Sequence, residues 1–345
     1  MATSKNKTVF VGMSGGVDSS VTAGILKGQG YNVVGVHLRC WNVDGCAQQD
    51  AEDARRAAET LEIPFYVFDF EKEYREKVVE YMVQGYKRGI TPNPDVMCNH
   101  EIKFGMFFKR AMAMGADYVA TGHYVKLQNG KLYAAKDDTK DQSYFLWMLT
   151  PKQLKRCLFP LGDLMKKTEV RRLAKKYKLP NAEKKDSQGV CFLGQISLPE
   201  FLDEFIKPKK GKIVTADGRI IGEHAGAHKF TIGQRKGLGV GGSSVPLYVA
   251  SKDVKKNTVV LAPEDDPSLY AQKVTLTSCN NFAKVRSGLV VWARVRYRQP
   301  LFRVKVAGKS IIFSKPQKFI ATGQSAVFYS KSGQMLGGGV IAKAR

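Results

Sequence analysis

Short apolar runs alternate with longer amphipathic runs through the first third of the chain, and this alternation constrains the fold more than any other feature. The apolar runs, typical of β-strands, lie at residues 8–13, 31–38, 65–70 and 118–121. The amphipathic runs, typical of helices, lie at residues 19–27, 48–61, 73–87 and 102–114. Strands separated by helices favour an α/β fold with a doubly wound parallel sheet, which binds its ligand at the carboxyl ends of the strands.

The pattern changes after about residue 208, where short strands and frequent glycines replace the helices. Strand patterns at residues 248–250, 259–262 and 290–298 predict small antiparallel units. We therefore expect three domains, namely an α/β domain at residues 1–208, a small β-rich central domain at 209–270 and a C-terminal β-barrel at 271–345.

The composition limits the class of protein. With 43% hydrophobic residues the chain can bury a substantial core, which excludes wholesale disorder. No apolar run reaches the roughly 18–20 residues of a membrane-spanning helix, and no signal-peptide pattern precedes the first strand, so we expect no membrane partner. The six cysteines lie far apart, as is typical of reduced thiols, so we expect a cytoplasmic protein.

Positive charge is concentrated toward the C-terminus. The chain carries 55 Lys and Arg against 31 Asp and Glu, a formal charge of +24, and residues 267–345 hold 14 basic residues and no acidic one. A continuous strand would place basic residues at every second position on one face. Arg294, Arg296 and Arg298 have this spacing, and Arg303 and Lys305 continue the pattern after the turn at Pro300. A solvated face explains a single run of charge, but so long a stretch without an acid favours an interface with nucleic acid.

A turn rich in glycine and serine joins the first predicted strand to the first predicted helix. Its residues are Gly12, Met13, Ser14, Gly15, Gly16, Val17, Asp18 and Ser19. Glycines let backbone amides converge on an anion, and the helix N-terminus and the serine hydroxyls add a favourable dipole and further donors. The turn therefore suits a phosphate or a pyrophosphate, although it is neither a Walker A loop nor a GxGxxG fingerprint. The alternative is a turn that is merely capped by Asp18 or Ser19.

Two cysteines lie in distinctive surroundings. Cys98 ends a proline-stiffened loop in which Asp95, three residues earlier, is placed to transfer protons. Cys191 follows a basic stretch that includes Lys184 and Lys185, which favour a thiolate if they approach it. Taken alone, either cysteine is more simply a small buried hydrophobic residue.

Together these motifs resemble those of the tRNA-specific 2-thiouridylases (the MnmA/TrmU family). SGGVDS at residues 14–19 is similar to the PP-loop of the N-type ATP pyrophosphatases, which cleave ATP between its α- and β-phosphates. The segments TPNPDVMCN and KDSQGVCFLG, which carry Cys98 and Cys191, resemble signatures of the thiouridylases. So do ATGHY at 120–124, KDQSYFL at 140–146, GQRKGLG at 233–239, RYRQ at 296–299 and GQSAVFY at 323–329. The matches run in family order over nearly the whole chain.

The resemblance implies an adenine-nucleotide alpha-hydrolase-like PP-loop domain and an ATP-dependent sulfurtransferase. Its substrate would be the wobble uridine of tRNAs for lysine, glutamate and glutamine. ATP with Mg²⁺ would bind residues 12–19 and adenylate the C2 oxygen, releasing pyrophosphate and then AMP. Cys191 would carry a persulfide from a sulfur-relay protein or a cysteine desulfurase, and Cys98 would assist its transfer. The cycle would end in a Cys98–Cys191 disulfide that an external reductant opens, with Asp95 transferring the proton.

The resemblance also implies binding residues. Leu38 and Gly122 would contact the adenosine of ATP. The residues that would contact tRNA are Asn93, Pro94 and Asp95 around the target base, His123 near it, and Lys140, Asp141, Gln142, Arg296, Tyr297 and Gln324 elsewhere. From the sequence alone, His123 is more simply a core histidine, and the aromatic residues at 144–147 are more simply core than a stacking platform.

Two other functions stay open at this stage. A PP-loop ligase acting on a small metabolite would need neither the two cysteines nor an acid-free C-terminus. A non-catalytic RNA-binding protein would leave the PP-loop and both thiols without a role. No motif surrounds Cys157 or Cys279, and we expect both to be buried.

Overall fold

The structure, a computed structural model, describes residues 6–41, 46–185, 196–281 and 285–345. Cys191 lies outside the described residues. The chain divides into two compact units, one formed by residues 1–78, 95–195 and 332–335 (unit 1) and the other by residues 79–94, 196–331 and 336–345 (unit 2). A search of the described residues finds no helix with the length and apolarity needed to span a bilayer.

The elements before residue 186 alternate in type as the hydrophobic pattern predicts. In chain order they are β1 (Thr8–Gly12), α1 (Val17–Gly28), β2 (Asn32–Arg39), α2 (Cys46–Thr60), β3 (Phe65–Asp69), α3 (Glu71–Tyr74), a π-helical turn (Arg75–Val79), α4 (Glu80–Lys87), α5 (Pro94–Met97), a π-helical segment (Cys98–Phe107), α6 (Phe108–Ala113), β4 (Tyr118–Thr121), β5 (Lys126–Gln128), β6 (Lys131–Tyr133), a 3₁₀ turn (Ser143–Leu146), α7 (Pro151–Leu154), β7 (Cys157–Leu158), a π-helical turn (Lys166–Val170) and α8 (Arg171–Lys176).

Unit 1 is built on a parallel five-stranded sheet in the order β3-β2-β1-β4-β7. The apolar side chains of β1 are fully enclosed, with Val9 and Val11 at 0% exposure, as expected for a strand covered on both faces. The predicted doubly wound α/β fold is thereby confirmed. Strand order reverses between β1 and β4, where Gly12 lies opposite Thr121. Ligands of doubly wound sheets bind in the crevice at such a point.

The elements after residue 195 are almost all strands. In chain order they are α9 (Leu198–Asp203), β8 (Gly211–Thr215), β9 (Ile220–His224), a 3₁₀ turn (Ala227–Lys229), β10 (Leu247–Asp253), β11 (Thr258–Pro263), a 3₁₀ turn (Pro267–Leu269), β12 (Tyr270–Asn281), β13 (Val290–Arg294), β14 (Phe302–Ala307), β15 (Ser310–Lys318), β16 (Ser325–Tyr329) and β17 (Met335–Ala344).

These strands form a small sheet and a barrel. The sheet has the order β10-β11-β8-β9, and β8 pairs with β11 in parallel, so the expectation of purely antiparallel units is wrong at this pair. The barrel closes in the order β12-β15-β14-β13-β16-β17 around a core that includes Val274, Ile311 and Phe313. The predicted C-terminal β-barrel is confirmed.

The predicted strand at 290–298 is wrong beyond Arg294. The chain turns at that point, since the Gln299 amide donates to the Arg296 carbonyl at 3.2 Å and the Gln299 side chain accepts from the Val295 amide at 3.1 Å. Arg298 has a φ of +61°, which no strand residue adopts. Arg296 and Arg298 therefore do not continue the strand face of Arg294.

The aromatic residues at 144–147 and the cysteines Cys157 and Cys279 were all predicted to be buried, and the structure confirms only part of this. Tyr144 and Trp147 are fully buried, as the prediction of core aromatic residues requires, whereas Phe145 is only partly buried. Cys157 is buried as well, but Cys279 is exposed, because β12 is irregular between Thr277 and Asn280 and its alternation of faces is lost there.

Candidate active site

The glycine- and serine-rich turn lies at the carboxyl end of β1, at the point where the sheet order reverses. Gly15 has a φ of +76°, and a Cβ atom on it would overlap the backbone oxygen of Asp50 in α2. The Met13 amide donates to the Val36 carbonyl of β2 at 2.8 Å, which ties the turn to the neighbouring strand. This loop is therefore a tightly packed cradle that tolerates only glycine at position 15.

Serine hydroxyls fix the loop from inside. The Ser14 amide donates to the Ser19 hydroxyl at 3.1 Å, and that hydroxyl donates to the Gly16 carbonyl at 3.1 Å. Met13 and Val17, both buried, contribute their side chains to the core, so only their backbones line the loop. The loop is organised before any ligand arrives, and at the N-terminus of α1 it offers the amides and hydroxyls that a polyphosphate requires.

Asp18 has a defined set of partners. Its Oδ1 accepts a hydrogen bond from the Tyr124 hydroxyl at 2.7 Å and an ion-paired hydrogen bond from the Lys166 ammonium group. Gly122, directly after β4, lies so close that a Cβ on it would be 2.8 Å from the Ser19 amide nitrogen. Tyr124 lies in the ATGHY motif, but no feature of the sequence predicts a role for Tyr124 or Lys166.

The amides and hydroxyls of the loop suit the phosphates of a nucleotide such as ATP. Leu38 is half-buried near the carboxyl end of β2, and Gly122 directly follows β4. Both residues therefore lie at the same edge of the sheet as the loop. A search of the residues that the structure describes finds no cluster of three or more His, Cys, Asp or Glu side chains suited to a metal. Mg²⁺ generally binds through substrate phosphates and one or two carboxylates, so it would accompany the nucleotide.

Cys98 and Asp95 lie on one continuous helical stretch. α5 begins at Pro94, and Cys98 opens the π-helical segment that follows, so the two side chains are about one turn apart. Both residues are half-buried. Burial raises the pKa of the Asp95 carboxyl, and the nearby Lys103 cation only partly opposes this. A carboxyl group with a raised pKa can give up and take back a proton nearer neutral pH.

The chain just before Cys191 is anchored to the glycine-rich loop. The Asn181 side-chain amide donates to the Gly15 carbonyl at 2.9 Å and to the Ser20 hydroxyl at 3.0 Å. The Lys184 ammonium group lies 2.8 Å from Asp50 Oδ1 and 2.5 Å from Asp53 Oδ2 in α2. Burial opposes the charge of Lys184, but these two carboxylates outweigh it and raise its pKa. The charge of Lys184 is therefore engaged by acids of α2.

His123 is enclosed by aromatic rings. It is 6% exposed, its Nδ1 is 2.7 Å from the Thr121 hydroxyl, and the rings of Phe104 and Phe159 lie 6.0 and 6.3 Å away. Burial, assisted by the Lys103 charge, lowers its pKa well below the usual value, so the imidazole is neutral at pH 7. The structure thus supports the simpler interpretation of His123 as a core histidine.

Hydrogen bonds connect the segment from Lys140 to Gln142 to Tyr124 and to neighbouring loop residues. The buried Asp141 carboxylate accepts from the Ala135 amide at 3.2 Å and from the Ser143 amide and hydroxyl at 3.1 and 3.0 Å. The Gln142 side chain accepts from the Tyr124 amide at 3.0 Å. Lys140 is half-buried. Asp141 and Gln142 therefore shape the loop beside Tyr124 in this structure.

Unit 2 contains a pocket of 310 Å³ that brings together residues far apart in sequence. It is lined by Thr91, Thr231, Gln234, Val295, Arg296, Phe319, Ala321 and Gln324. The predicted tRNA contacts Arg296 and Gln324 share this pocket. Tyr297, whose ring lies 5.2 Å from the Arg298 guanidinium, does not line it. Thr231 and Gln234 were missed as pocket residues, although Gln234 lies in the quoted GQRKGLG motif.

Gln324 holds the loop that leads to Asn93 and Pro94, which are themselves buried. Its side-chain amide donates to the carbonyls of Thr91 at 3.0 Å and Pro92 at 3.3 Å. Gly323, with a φ of +90°, permits this approach, because a Cβ on it would lie 2.8 Å from the Thr91 oxygen. The role of Gln324 that this geometry shows is to position the proline-rich loop.

Comparisons with known proteins agree over the whole chain. Three family models match in succession, described as tRNA methyl transferase HUP domain at residues 7–195, tRNA methyl transferase PRC-barrel domain at 199–263 and aminomethyltransferase beta-barrel domain at 269–341. A tRNA-specific 2-thiouridylase MnmA from Shouchella clausii is 45% identical, covering 97% of this chain and 96% of the relative. The one from Christiangramia forsetii is 41% identical, covering 97% of this chain and 100% of the relative.

A solved NMN synthetase from Francisella tularensis is 20% identical, covers 52% of this chain and 66% of its own, and has a TM-score of 0.34.

Proposed function

The chain belongs to the tRNA-specific 2-thiouridylase family and is a tRNA sulfurtransferase that forms 2-thiouridine, and on this premise we propose how its residues carry out the reaction. ATP supplies the adenylyl group that turns the C2 oxygen of a wobble uridine into a good leaving group. The loop at residues 12–19 holds the phosphates through backbone amides and the serine hydroxyls, and it favours release of pyrophosphate. Leu38 and Gly122 contact the adenosine.

Two thiols then exchange sulfur for oxygen. The terminal sulfur of a persulfide on Cys191 attacks C2, and AMP leaves with the original oxygen. The Cys98 thiolate then attacks the Cys191 sulfur of this adduct and displaces thiouridine. In the alternative route Cys98 attacks the persulfide before any adduct forms and displaces sulfide, which itself attacks C2 and expels AMP. Both routes end in a Cys98–Cys191 disulfide and thiouridine, and an external dithiol reduces the disulfide. Asp95, whose pKa burial raises, moves the proton beside Cys98.

The observation that carries this proposal is the anchoring of the chain before Cys191. Asn181, ten residues before Cys191 in the sequence, is hydrogen-bonded to Ser20 and to Gly15 of the loop at residues 12–19, which we call the phosphate loop. Cys98 belongs to the same compact unit. Adenylation and sulfur transfer need their groups around one uridine, and this arrangement supports that requirement.

The two predicted outer domains divide the work in this proposal. Residues 1–208 perform the chemistry, and residues 271–345 attract tRNA through their unopposed positive charge. The pocket with Arg296 and Gln324 lies in unit 2 with Asn93 and Pro94, which we place around the target base. A sulfur-carrying protein loads Cys191.

The competing functions leave parts of the molecule unused. A small-molecule ligase has no use for the acid-free barrel, and an RNA-binding protein without activity has no use for the phosphate loop. Methyl transfer, which the family descriptions name, requires no pyrophosphate-binding loop. Thiolation employs the loop, both cysteines and the basic barrel.

The test replaces one cysteine at a time. We expect Cys98→Ser and Cys191→Ser each to abolish 2-thiouridine formation from tRNA, ATP, Mg²⁺ and a persulfide donor, measured by mass spectrometry of the nucleosides. Binding of tRNA, measured by filter retention, should survive in both. The matched control is Cys279→Ser at the exposed cysteine, which should retain activity. Full thiolation by either of the first two variants would refute the mechanism.

A further inference from the structure

A carboxylate in a phosphate loop presents an electrostatic problem. Asp18 lies in the first turn of α1, beside Ser19, and its side chain is 32% exposed. The helix dipole favours a negative charge at this position, but the same dipole must also attract the phosphates of ATP. An unbalanced carboxylate at the loop would repel those phosphates over several ångströms. A cation of the protein that neutralises Asp18 would reduce this repulsion without occupying the space of the ligand.

Lys166 has the required position. Its side chain is 3% exposed, and its ammonium group is ion-paired with Asp18 Oδ1 from within the protein. The Tyr124 hydroxyl donates to the same oxygen at 2.7 Å, which fixes the carboxylate between two donors. Gly122 packs so closely that a Cβ on it would lie 3.1 Å from Asp18 Cβ. Asp18 is thus held in one orientation with its charge balanced.

The backbone of Lys166 is held by a second carboxylate. The Lys166 amide donates to Asp137 Oδ2 at 3.1 Å, and the Thr139 hydroxyl donates to Asp137 Oδ1 at 2.6 Å. Asp137 is 4% exposed. Burial raises the pKa of its carboxyl, but these hydrogen bonds outweigh burial and lower it, so Asp137 is ionised at neutral pH. Lys166 begins the helical turn that leads into α8, and its ammonium group is aimed at a residue 148 positions away in sequence.

We propose that Lys166 is a positioning residue for ATP, which acts through Asp18 by neutralising and orienting its carboxylate at the phosphate loop. Lys166 is too enclosed to reach a ligand directly, so its effect on ATP passes through the charge and geometry of Asp18. The inference rests on the proposed function only in taking ATP as the ligand of the loop.

The test is a double-mutant cycle on ATP binding, measured by isothermal titration calorimetry without tRNA. Lys166→Met should weaken ATP binding by about tenfold or more, because the carboxylate is left uncompensated beside the phosphates. In the Asp18→Asn background, the same Lys166→Met change should alter affinity by less than about threefold, since no charge remains to balance. The matched control is Lys167→Met, the exposed neighbour on the same turn, which should bind ATP like the wild type.

Several results would overturn the inference. Wild-type ATP affinity in Lys166→Met would overturn it, and so would an equal loss in Lys167→Met, since overall charge would then suffice. A loss of about tenfold on adding Lys166→Met to Asp18→Asn would show that Lys166 acts independently of Asp18, and this comparison stands even if the single Lys166→Met variant does not fold. Failure of the proposed function is distinguishable, because the wild type would then bind ATP without forming thiouridine.

Discussion

The phosphate loop of unit 1 and the basic barrel of unit 2 are organised on opposite principles. In the loop, Ser14, Ser19 and Asp18 each have hydrogen-bond partners within the protein, and Gly15 has no room for one more carbon atom. In the barrel, cations such as Arg303 stand exposed, and no acid occurs from residue 267 onward.

This difference separates two kinds of recognition. A crowded loop selects by position, so a shift of a few tenths of an ångström alters what it binds. Exposed like charges attract a polyanion at long range and tolerate displacement, but their effect falls with added salt. Substitutions in the loop should therefore have steep, salt-independent effects, and substitutions on the barrel should have small, graded and salt-dependent ones.

The largest expected effect is that of Gly15→Ala. The added Cβ would overlap the Asp50 carbonyl, and the φ of +76° is unfavourable for alanine, so the loop must open. We expect ATP affinity, measured by calorimetry, to fall by about 100-fold or more, equivalent to roughly 2.7 kcal/mol. Gly130→Ala is the matched control, since Gly130 also has a positive φ, +71°, but has open space around it. An equal loss in both variants would mean that backbone strain, and not packing, sets the effect.

The buried Lys252 of unit 2 tests whether the burial of a charged group, or the unit in which it lies, determines the size of its effect. Lys252 donates to the His228 and Phe230 carbonyls, and burial lowers its pKa from 10.5 to about 8. Below about pH 8 both folded and unfolded chains bind the proton. Between about pH 8 and 10.5 the unfolded chain binds more protons, so stability should rise with pH there, by roughly 3 kcal/mol at most.

Thermal melts from pH 7 to 10 measure this effect. Lys252→Met should lack the rise that the wild type shows over this range, whereas Lys210→Met, at a lysine whose side chain is 90% exposed, should keep it. Parallel curves for the wild type and Lys252→Met would contradict the assignment. A large effect would show that a buried group in unit 2 is as sensitive to substitution as the buried groups of the phosphate loop.

We expect an effect of intermediate size at Gln324, which lines the pocket of unit 2 and holds the loop at Thr91 and Pro92. Gln324→Ala removes the donor to the Thr91 and Pro92 carbonyls, and we expect single-turnover thiolation to slow by about tenfold, with ATP affinity unchanged. Gln324→Glu should be worse, since its carboxylate would face those carbonyls. Gln317→Ala is the control, a glutamine whose amide donates to a strand carbonyl elsewhere in the barrel. If Gln324→Glu slowed thiolation less than Gln324→Ala, the proposal that Gln324 positions the loop would be contradicted.

The fold was predictable because it follows from short-range periodicity. Alternating strands and helices require crossover connections, and these connections produce a parallel sheet. The turn after β1 then lies at the carboxyl ends of the strands. The failures are local. The strand beyond Arg294 was wrong because Gln299 and Pro300 end it, and the exposure of Cys279 follows from an irregularity in β12.

The candidate site was predictable only where a motif is continuous in sequence. The glycine turn is such a motif, and its geometry suits the proposed ligand. Lys166 and Asn181 were not identified, because each meets the loop across more than 140 residues of chain and looks like any other lysine or asparagine. Gln324 was named, but its link to Thr91 depends on the tertiary fold.

The smallest expected effect concerns the barrel, and its salt dependence matters more than its size. Arg303 is exposed on β14 opposite Trp292 on β13. Arg303→Gln should weaken tRNA binding about threefold at moderate salt and reduce the slope of log affinity against log salt by about one. Arg56→Gln, the same charge change at an ion-paired residue of α2, should leave that slope unchanged. If Arg303→Gln instead reduced affinity by an amount independent of salt, the barrel would recognise tRNA by position, as the phosphate loop does, and the contrast between the two units would fail.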